Sequence, residues 1–473
     1  MYQTNQIKDV LLVYLAQEDA DYLISGELDY GIKRIPKLGF MYLAAVLEKE
    51  GVKTHIMDQT LESFTHEGLI DRLKKENFGF IGFYSATALK PKLLSYIKIL
   101  KQADTGTPII VGGPGYFGAR QYLEAGCDIV CEGEAETTIC EIIDYLNGQR
   151  TIKEVKGIYH LEDGQVKATG RQNLIEDLDT LPFPKRDSIF GEAKFYDFHI
   201  FNMRTPYTTM ITSRGCPYRC TYCSSHNVWD NRVRLRSPDN VIREMEYCIG
   251  NFGTRYIGFR DDTFGIDRKW LEKFCSLAMK LRPEVLWSAM VHPFSFRENK
   301  KETMKLLKDA GCDMLIFGLQ SAHPGILKNI KRSPAEVEEL TETVKLAKRY
   351  NISTVVEFIF GLPGETKETI LTSIDYIIRT KPHYAQFNAL SVLEGSQIED
   401  EFRNGKICEF SKDEIKKWCA FASRRFYSSP FLIFQDFVHI LFKNPRWFFK
   451  MARHSLYLLK YLGFRKIKNE KFN

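Results

Sequence analysis

No stretch of about 18 consecutive apolar residues runs through this chain free of charge, so no membrane-spanning helix is predicted. The opening MYQTNQIKDVLLVYLAQED lacks the basic-then-apolar layout of a secretory leader, its short apolar run being interrupted by Asp9 and followed by acids. An excess of one charge is also missing. The net charge of +6 over 473 residues is modest and spread out, which gives no sign of a nucleic-acid partner. The eleven cysteines do not form the framework of a small disulfide-stapled domain, and without a leader they fit a reducing cytoplasm. What is present is ordinary for a globular protein: 44% hydrophobic and 27% charged residues, in a chain long enough for two or three domains.

Against that background one stretch stands out, Ile211 to His226, ITSRGCPYRCTYCSSH. It sets Cys216, Cys220 and Cys223 close together just after an apolar run, Tyr207 to Thr212, that reads as a strand; the other cysteines are scattered singly. Disulfide chemistry is disfavoured, so metal binding leads. Three soft thiolates suit zinc or an iron–sulfur cluster. With His226 they make a Cys3His zinc set. Alternatively, three cysteines hold a four-iron cluster and leave one iron open to a substrate or cofactor. Zinc knuckles sit on small loop-rich units, and these cysteines follow a strand within a long strand–helix alternation.

That alternation begins near residue 8. Val10–Tyr14, Val52–Met57, Phe78–Tyr84, Ile109–Val111 and Asp128–Cys131 read as strands, with helices over Leu38–Glu50 and Lys92–Gln102. The pattern implies a doubly wound parallel sheet over 1–150, with ligands at the carboxyl ends of its strands. Ser85, Thr87, Gly112, Gly113, Gly133 and Glu134 fall at those ends. Residues 151–206 read as a linker carrying a small hairpin around Asp163-Gly164 and a proline-fixed stretch, Asp179 to Pro184. From 207 to 400 strands again alternate with helices, and polar groups gather where strands end: Asp261 and Asp262, Gln320 and Ser321, and the run Gly361 to Thr366. Residues 401–473 form a helical cap, with aromatic helices over Phe421–Tyr427, Phe431–Phe442 and Trp447–Leu462. Its Lys and Arg beside Trp and Phe also suit a helix lying on a membrane surface.

The run Cys216-Pro217-Tyr218-Arg219-Cys220-Thr221-Tyr222-Cys223 resembles the C-x3-C-x2-C signature of the radical S-adenosylmethionine (radical SAM) superfamily. The order IPKLGFMYLAAVLEKEGV, GFYSAT, IIVGGP, DIVCEGEAE resembles the cobalamin-binding domain ahead of many radical SAM cores. The joint resemblance is to the class B radical SAM methyltransferases. It implies an α/β chain: a doubly wound cobalamin-binding-like domain, then a partial (β/α)6 barrel, then a helical cap. It also implies that Cys216, Cys220 and Cys223 hold a [4Fe–4S] cluster whose open iron chelates SAM, and that one electron then cleaves SAM to a 5′-deoxyadenosyl radical. By the same resemblance Asp261 and Asp262 lie near the SAM amino group and Gln320 and Ser321 near its ribose. Ser85, Thr87, Gly112, Gly113, Gly133 and Glu134 are then candidate cobalamin contacts. No Asp-x-His-x-x-Gly motif offers a histidine to cobalt. The N-terminal half also lacks the second cysteine triad of a methylthiotransferase. The implied activity is C-methylation of an unreactive carbon with cobalamin as methyl carrier. A cyclase, oxidative or rearrangement enzyme without methyl transfer is the alternative, and a non-catalytic metal- or corrin-binding protein a more distant one. The implied partners are a small-molecule or lipid-like substrate and a reductant such as flavodoxin or ferredoxin, while a membrane surface at the C-terminal helices rests on their composition alone. Arg214 and Arg219 flank the cysteines as groups that neutralise carboxylates, tune the cluster's potential or form surface ion pairs, and Tyr218 and Tyr222 shield the site from solvent.

Overall fold

A computed structural model describes residues 6–16, 37–187, 204–281, 285–403, 405 and 407–429. The two distal aromatic helices and the membrane surface expected there fall outside the described residues. No helix among those described is long and apolar enough to cross a membrane.

The first sheet has seven strands in the order β2-β1-β3-β4-β5-β6-β7. They are β1 (Asp9–Tyr14), β2 (Lys53–Asp58), β3 (Ile81–Tyr84), β4 (Ile109–Gly112), β5 (Ile129–Cys131), β6 (Ile158–Glu162) and β7 (Gln165–Ala168). The first five are parallel. β1 shows why this sequence makes such a sheet. Its Leu11 and Val13 enter one core with Leu69, Leu93 and Ile97, and its Val10 and Leu12 enter another with Phe40, Leu47, Ile139 and Ile142. Side chains alternate across a strand, so an unbroken apolar run is what burial on both faces requires. The strand order reverses between β1 and β3, which opens a crevice at their carboxyl ends. Tyr14 and Tyr84 stand there with ring centroids 5.3 Å apart.

The hairpin assigned from sequence to the linker is the edge of this sheet. β6 pairs antiparallel with β5, Val130 opposite Tyr159, and β7 pairs with β6. A three-residue β5 would otherwise leave an uncovered edge. The true connection is anchored by Arg186, which is buried and donates from Nη2 to Glu244 Oε1 (2.6 Å) and to the Thr209 carbonyl (2.9 Å).

The second sheet is wholly parallel, and its six strands lie side by side in chain order: β8 (Tyr207–Met210), β11 (Tyr256–Phe259), β12 (Leu286–Val291), β13 (Cys312–Gln320), β14 (Ser353–Phe360) and β15 (Tyr384–Ala389). Between β8 and β11 a two-stranded ribbon forms from β9 (Ser213–Arg214) and β10 (Arg234–Leu235). Sequential parallel strands with helices between them curl into an open barrel. An aromatic core of Phe259, Phe264, Phe274 and Trp287 lies between strands and helices. A separate inner cluster of Tyr207, Tyr256, Met314, Ile316, Val355 and Tyr384 lines the barrel interior, and Leu61 from the N-terminal half packs against it. Helix starts are capped where the sequence offers an oxygen: Ser237 accepts from Asn240 N, and Ser411 opens a capping box with Glu414. The helix Lys412–Tyr427 docks on β15, Tyr427 donating to the Ala385 carbonyl at 2.9 Å. A doubly wound sheet, a partial (β/α)6 barrel and a helical cap therefore follow one another as expected.

Candidate cofactor site at the barrel mouth

The three cysteines lie on the excursion between β9 and β10, which that ribbon closes at its base. Gly215 enters it at φ +97, and a Cβ there would come within 1.9 Å of the Arg232 carbonyl oxygen. Only glycine admits that approach. The Cys223 amide then donates to the Cys220 carbonyl at 3.1 Å, and the excursion is tied to the barrel where the Thr221 amide meets Ile330 O (3.3 Å). Burial raises the pKa of Cys216 and Cys220 and pushes the Cys223 thiol up to about 11, with Asp262 and the two other cysteines adding to it at Cys223. The three sulfurs are thus within electrostatic range of one another.

Among the described residues no three His, Cys, Asp or Glu side chains converge on a single ion. Burial, with Arg219 and Lys331 nearby, lowers the pKa of His226. A four-iron cluster takes each thiolate on a different iron, so three soft donors spread along one half-buried loop match it.

The aspartates divide. Asp261 is buried, and its Oδ1 accepts from Thr212 N (2.8 Å), Thr212 Oγ1 (2.8 Å) and Ser213 Oγ (2.7 Å), which fixes the chain as it leaves β8. Its Oδ2 is buried with no partner among the described residues. Asp262, itself exposed, faces the cysteine loop, accepting from Ser225 Oγ at 2.9 Å. Gln320 ends β13 at φ +70, where the register with β14 slips past Gly318. A glutamine in left-handed backbone costs about 1–2 kcal/mol, the kind of strain that gathers at functional sites. Ser321 is fully buried. Its Oγ accepts from His323 N (3.2 Å) and pairs with Ser373 Oγ (3.3 Å), so its hydroxyl is engaged within the fold. In the Gly361–Thr366 turn the buried Glu365 accepts from Gly361 N (2.5 Å) and Leu362 N (3.3 Å), and burial pushes its carboxyl up to about 8.

One group escaped sequence reading. His292, just past β12, stacks on Tyr218 with ring centroids 3.7 Å apart. The buried Arg332 donates to His292 Nε2 (3.1 Å) and Tyr222 OH (3.4 Å) and is paired with Glu336. Burial, aided by Arg332, pushes the His292 imidazole down to about 2, so it stays neutral. These residues are far from the cysteines in sequence and carry no motif there, so only folding reveals them.

In the first sheet Ser85, Gly112 and Gly113 come together. The Ser85 amide donates to the Gly112 carbonyl (2.7 Å), and Ser85 Oγ bonds Tyr122 OH at 2.5 Å. Gly113 sits at φ +104, where a Cβ would meet Ser85 O at 2.8 Å. Thr87 opens a single helical turn, Thr87–Leu89, after β3. Gly133, at φ +75, has open space around its Cα.

Comparison with known proteins agrees with this geometry. The family model for the radical SAM superfamily matches residues 210–377, and that for the B12 binding domain matches residues 33–143. This chain is a B12-binding radical SAM enzyme. An uncharacterized methyltransferase of Pyrococcus horikoshii is 26% identical over 468 residues, covering 93% of this chain and 98% of that protein. The anaerobic magnesium-protoporphyrin IX monomethyl ester cyclase of Cereibacter sphaeroides is 26% identical over 392 residues, covering 80% of this chain and 62% of that protein. In fold, the radical S-adenosylmethionine methyltransferase TsrM of Kitasatospora setae, solved with cobalamin and a [4Fe-4S] cluster, matches with a TM-score of 0.65 at 17% identity. That match covers 84% of this chain and 75% of TsrM. The cofactors are accordingly a [4Fe–4S] cluster, SAM and cobalamin.

The B12-binding domain and the radical SAM core are joined through buried charge. Arg214, two residues before Cys216, donates to Glu134 (2.6 Å) and Glu136 (2.5 Å), and Arg234 on the paired strand donates to Glu134 (2.8 Å). Glu134 also accepts from Ile175 N at 2.8 Å. Its carboxylate is spent on the interface between the domains. Burial opposes its charge, but Arg234 and Arg214 more than offset this and hold it below the usual carboxylate range. Arg214 is a buried group, not a surface ion pair. At the rim Lys90 pairs with Glu394, and the Asn227 amide reaches the Gly395 carbonyl.

Proposed function

We propose that this radical SAM enzyme methylates an unreactive carbon of a small molecule, with cobalamin as methyl carrier. The observation that carries this reading is the buried Arg214–Glu134–Glu136–Arg234 network. It starts two residues from Cys216 and ends at the first turn of the helix Ala135–Leu146, so the cysteine loop and the B12-binding domain are held as one unit. A methyl carrier and a radical source must act on one carbon atom, and a rigid junction supplies the required proximity. When bound, the cluster and SAM supply a 5′-deoxyadenosyl radical and cobalamin supplies the methyl group.

The chain's own residues then have defined tasks. Cys216, Cys220 and Cys223 would hold the cluster. Asp262, beside those thiols, would accept hydrogen bonds from the SAM ammonium, and Gln320 would offer its amide to the ribose. Tyr218, stacked on neutral His292, walls one side and excludes water. Ser85, Gly112 and Gly113 would present backbone and a small side chain to the corrin. A reductant such as flavodoxin or ferredoxin would deliver the electron.

A cyclase-type reaction keeps the same cofactors, and similarity to the ester cyclase over 80% of this chain makes it the second reading. Anaerobic turnover with SAM and a reductant separates the two. Methylation yields S-adenosylhomocysteine, 5′-deoxyadenosine and a product heavier by one methylene. An altered but unmethylated product with 5′-deoxyadenosine alone would sink the first reading.

A further inference from the structure

The barrel contains a pair of opposite charges that do not meet. Side chains alternate along β14: Val355 belongs to the inner cluster, whereas Val356, Phe358 and Phe360 belong to the outer core. Glu357 therefore faces inward. In register it lies between Gly318 on β13 and Gln386 on β15. Gly318 contributes no side chain, and the Gln320 amide lies over it, 2.4 Å from where a Cβ would stand. Glu357 takes no hydrogen bond and no ion pair among the described residues. Burial raises its pKa, and Arg260 is the charge that partly offsets this.

Arg260, one residue past β11, faces the same space. Its Nη2 donates to Tyr207 OH at 3.0 Å, and Tyr207 belongs to the inner cluster. Tyr207 reaches it across Gly258, where a Cβ would meet the Tyr207 hydroxyl at 2.4 Å. Arg260 Nε is buried and has no acceptor among the described residues. Both residues are half-buried, and polar groups drawn out of water are nearly always matched, so a carboxylate without a donor and a guanidinium Nε without an acceptor, both facing the barrel interior, call for a ligand. Elsewhere in this molecule buried charges close on each other, as Arg186 does on Glu244 and Arg214 on Glu134.

We propose that the barrel lumen is the substrate pocket and that it takes a zwitterionic small molecule, its carboxylate on Arg260 and its ammonium on Glu357. Gln386 flanks the ammonium end, and the Tyr256, Met314 and Tyr384 floor receives the apolar body. This rests on the reading that the chemistry takes place at the barrel mouth, and it narrows the substrate to an amino-acid-like compound.

The test is equilibrium dialysis of the anaerobic, cluster- and cobalamin-loaded full chain against the standard L-amino acids. The tightest binder is then compared with its decarboxylated amine and its deaminated acid. The expected result is saturable binding of an amino acid, with both analogues about ten- to a hundredfold weaker, as loss of a hydrogen bond to a charged group predicts. Glu357→Gln and Arg260→Met should each weaken the amino acid by a similar factor and leave SAM affinity unchanged. Glu357→Gln should also melt at or above the wild-type temperature, because it removes an unmatched charge; a merely structural carboxylate would give a lower one. No saturable binding of any amino acid, a parallel loss of SAM affinity, or a lowered melting temperature for Glu357→Gln would each overturn the proposal. Binding needs no turnover, so failure here leaves the methyl-transfer reading standing, and an unmethylated product leaves this one standing.

Discussion

The two halves of the molecule build their sites from different material. In the B12-binding domain the strand ends at the crevice offer two glycines and a serine beside the rings of Tyr14 and Tyr84, with the Gly113 backbone close against that of Ser85. In the radical SAM core the mouth of the barrel is lined by side chains: three thiols, Asp262, a strained glutamine and a stacked histidine. A large flat cofactor is held by a surface with room, whereas a reactive one needs donors at fixed points. It follows that the first half is vulnerable to added atoms and the second to deleted ones.

The most severe break is expected from replacing Cys216, Cys220 and Cys223 together by alanine. Iron and sulfide content should fall to background and SAM cleavage should disappear, while corrin binding measured by absorbance persists. Loss of both cofactors together would show that the halves are not separable.

Arg214→Met strikes the junction itself. It leaves Glu136 with no cation and Glu134 with Arg234 alone, and stranding a buried carboxylate costs about 3–5 kcal/mol. Denaturant unfolding should show that loss. A change within about 0.5 kcal/mol, the range of an ordinary surface substitution, would mean that the network is not structural.

Gly113→Ala tests the first half by addition. At φ +104, with Ser85 O at 2.8 Å from the new Cβ, the cost is about 1–3 kcal/mol, and cobalamin retention should drop while cluster content stays intact. Equal retention of cobalamin would separate Gly113 from the corrin surface.

The smallest effect is a pH slope set by Glu365. Its folded pKa, about 8, lies above the ordinary 4.5, so the folded state holds the proton more tightly than the unfolded chain does. Its contribution is therefore complete below about 4.5 and is lost as pH rises toward 8, at no more than about 1.4 kcal/mol per unit. Glu365→Gln keeps an acceptor for Gly361 N and should flatten that part of the stability profile. An unchanged slope would place its origin elsewhere.

How much of this was legible in sequence follows from the same contrast. The cysteine loop could be read directly because its three thiols are neighbours in the chain. Strands could be read because burial on both faces demands runs such as Val10–Val13, and their bounds were displaced by a few residues at most. The paired acids at 261 and 262 looked equivalent, and folding gave them different partners: Asp261 holds the backbone after β8 and Asp262 faces the thiol loop. Glu134 was a candidate corrin contact by resemblance, yet its carboxylate is taken up by Arg214 and Arg234, 80 and 100 residues away. Nothing local to any of these residues marks that meeting. The hairpin was assigned to the linker because antiparallel strands beside a proline-rich stretch carry no sign of the sheet they join.

By itself, then, the sequence determined the order of the two domains and the spacing of the three cysteines on which the radical SAM resemblance rests, because each depends on residues close together in the chain. Tertiary structure alone decided which buried charges close and which stay open. Whether Arg214 finds Glu134, or Arg260 fails to reach Glu357, depends on distances between strands and domains that no local pattern encodes.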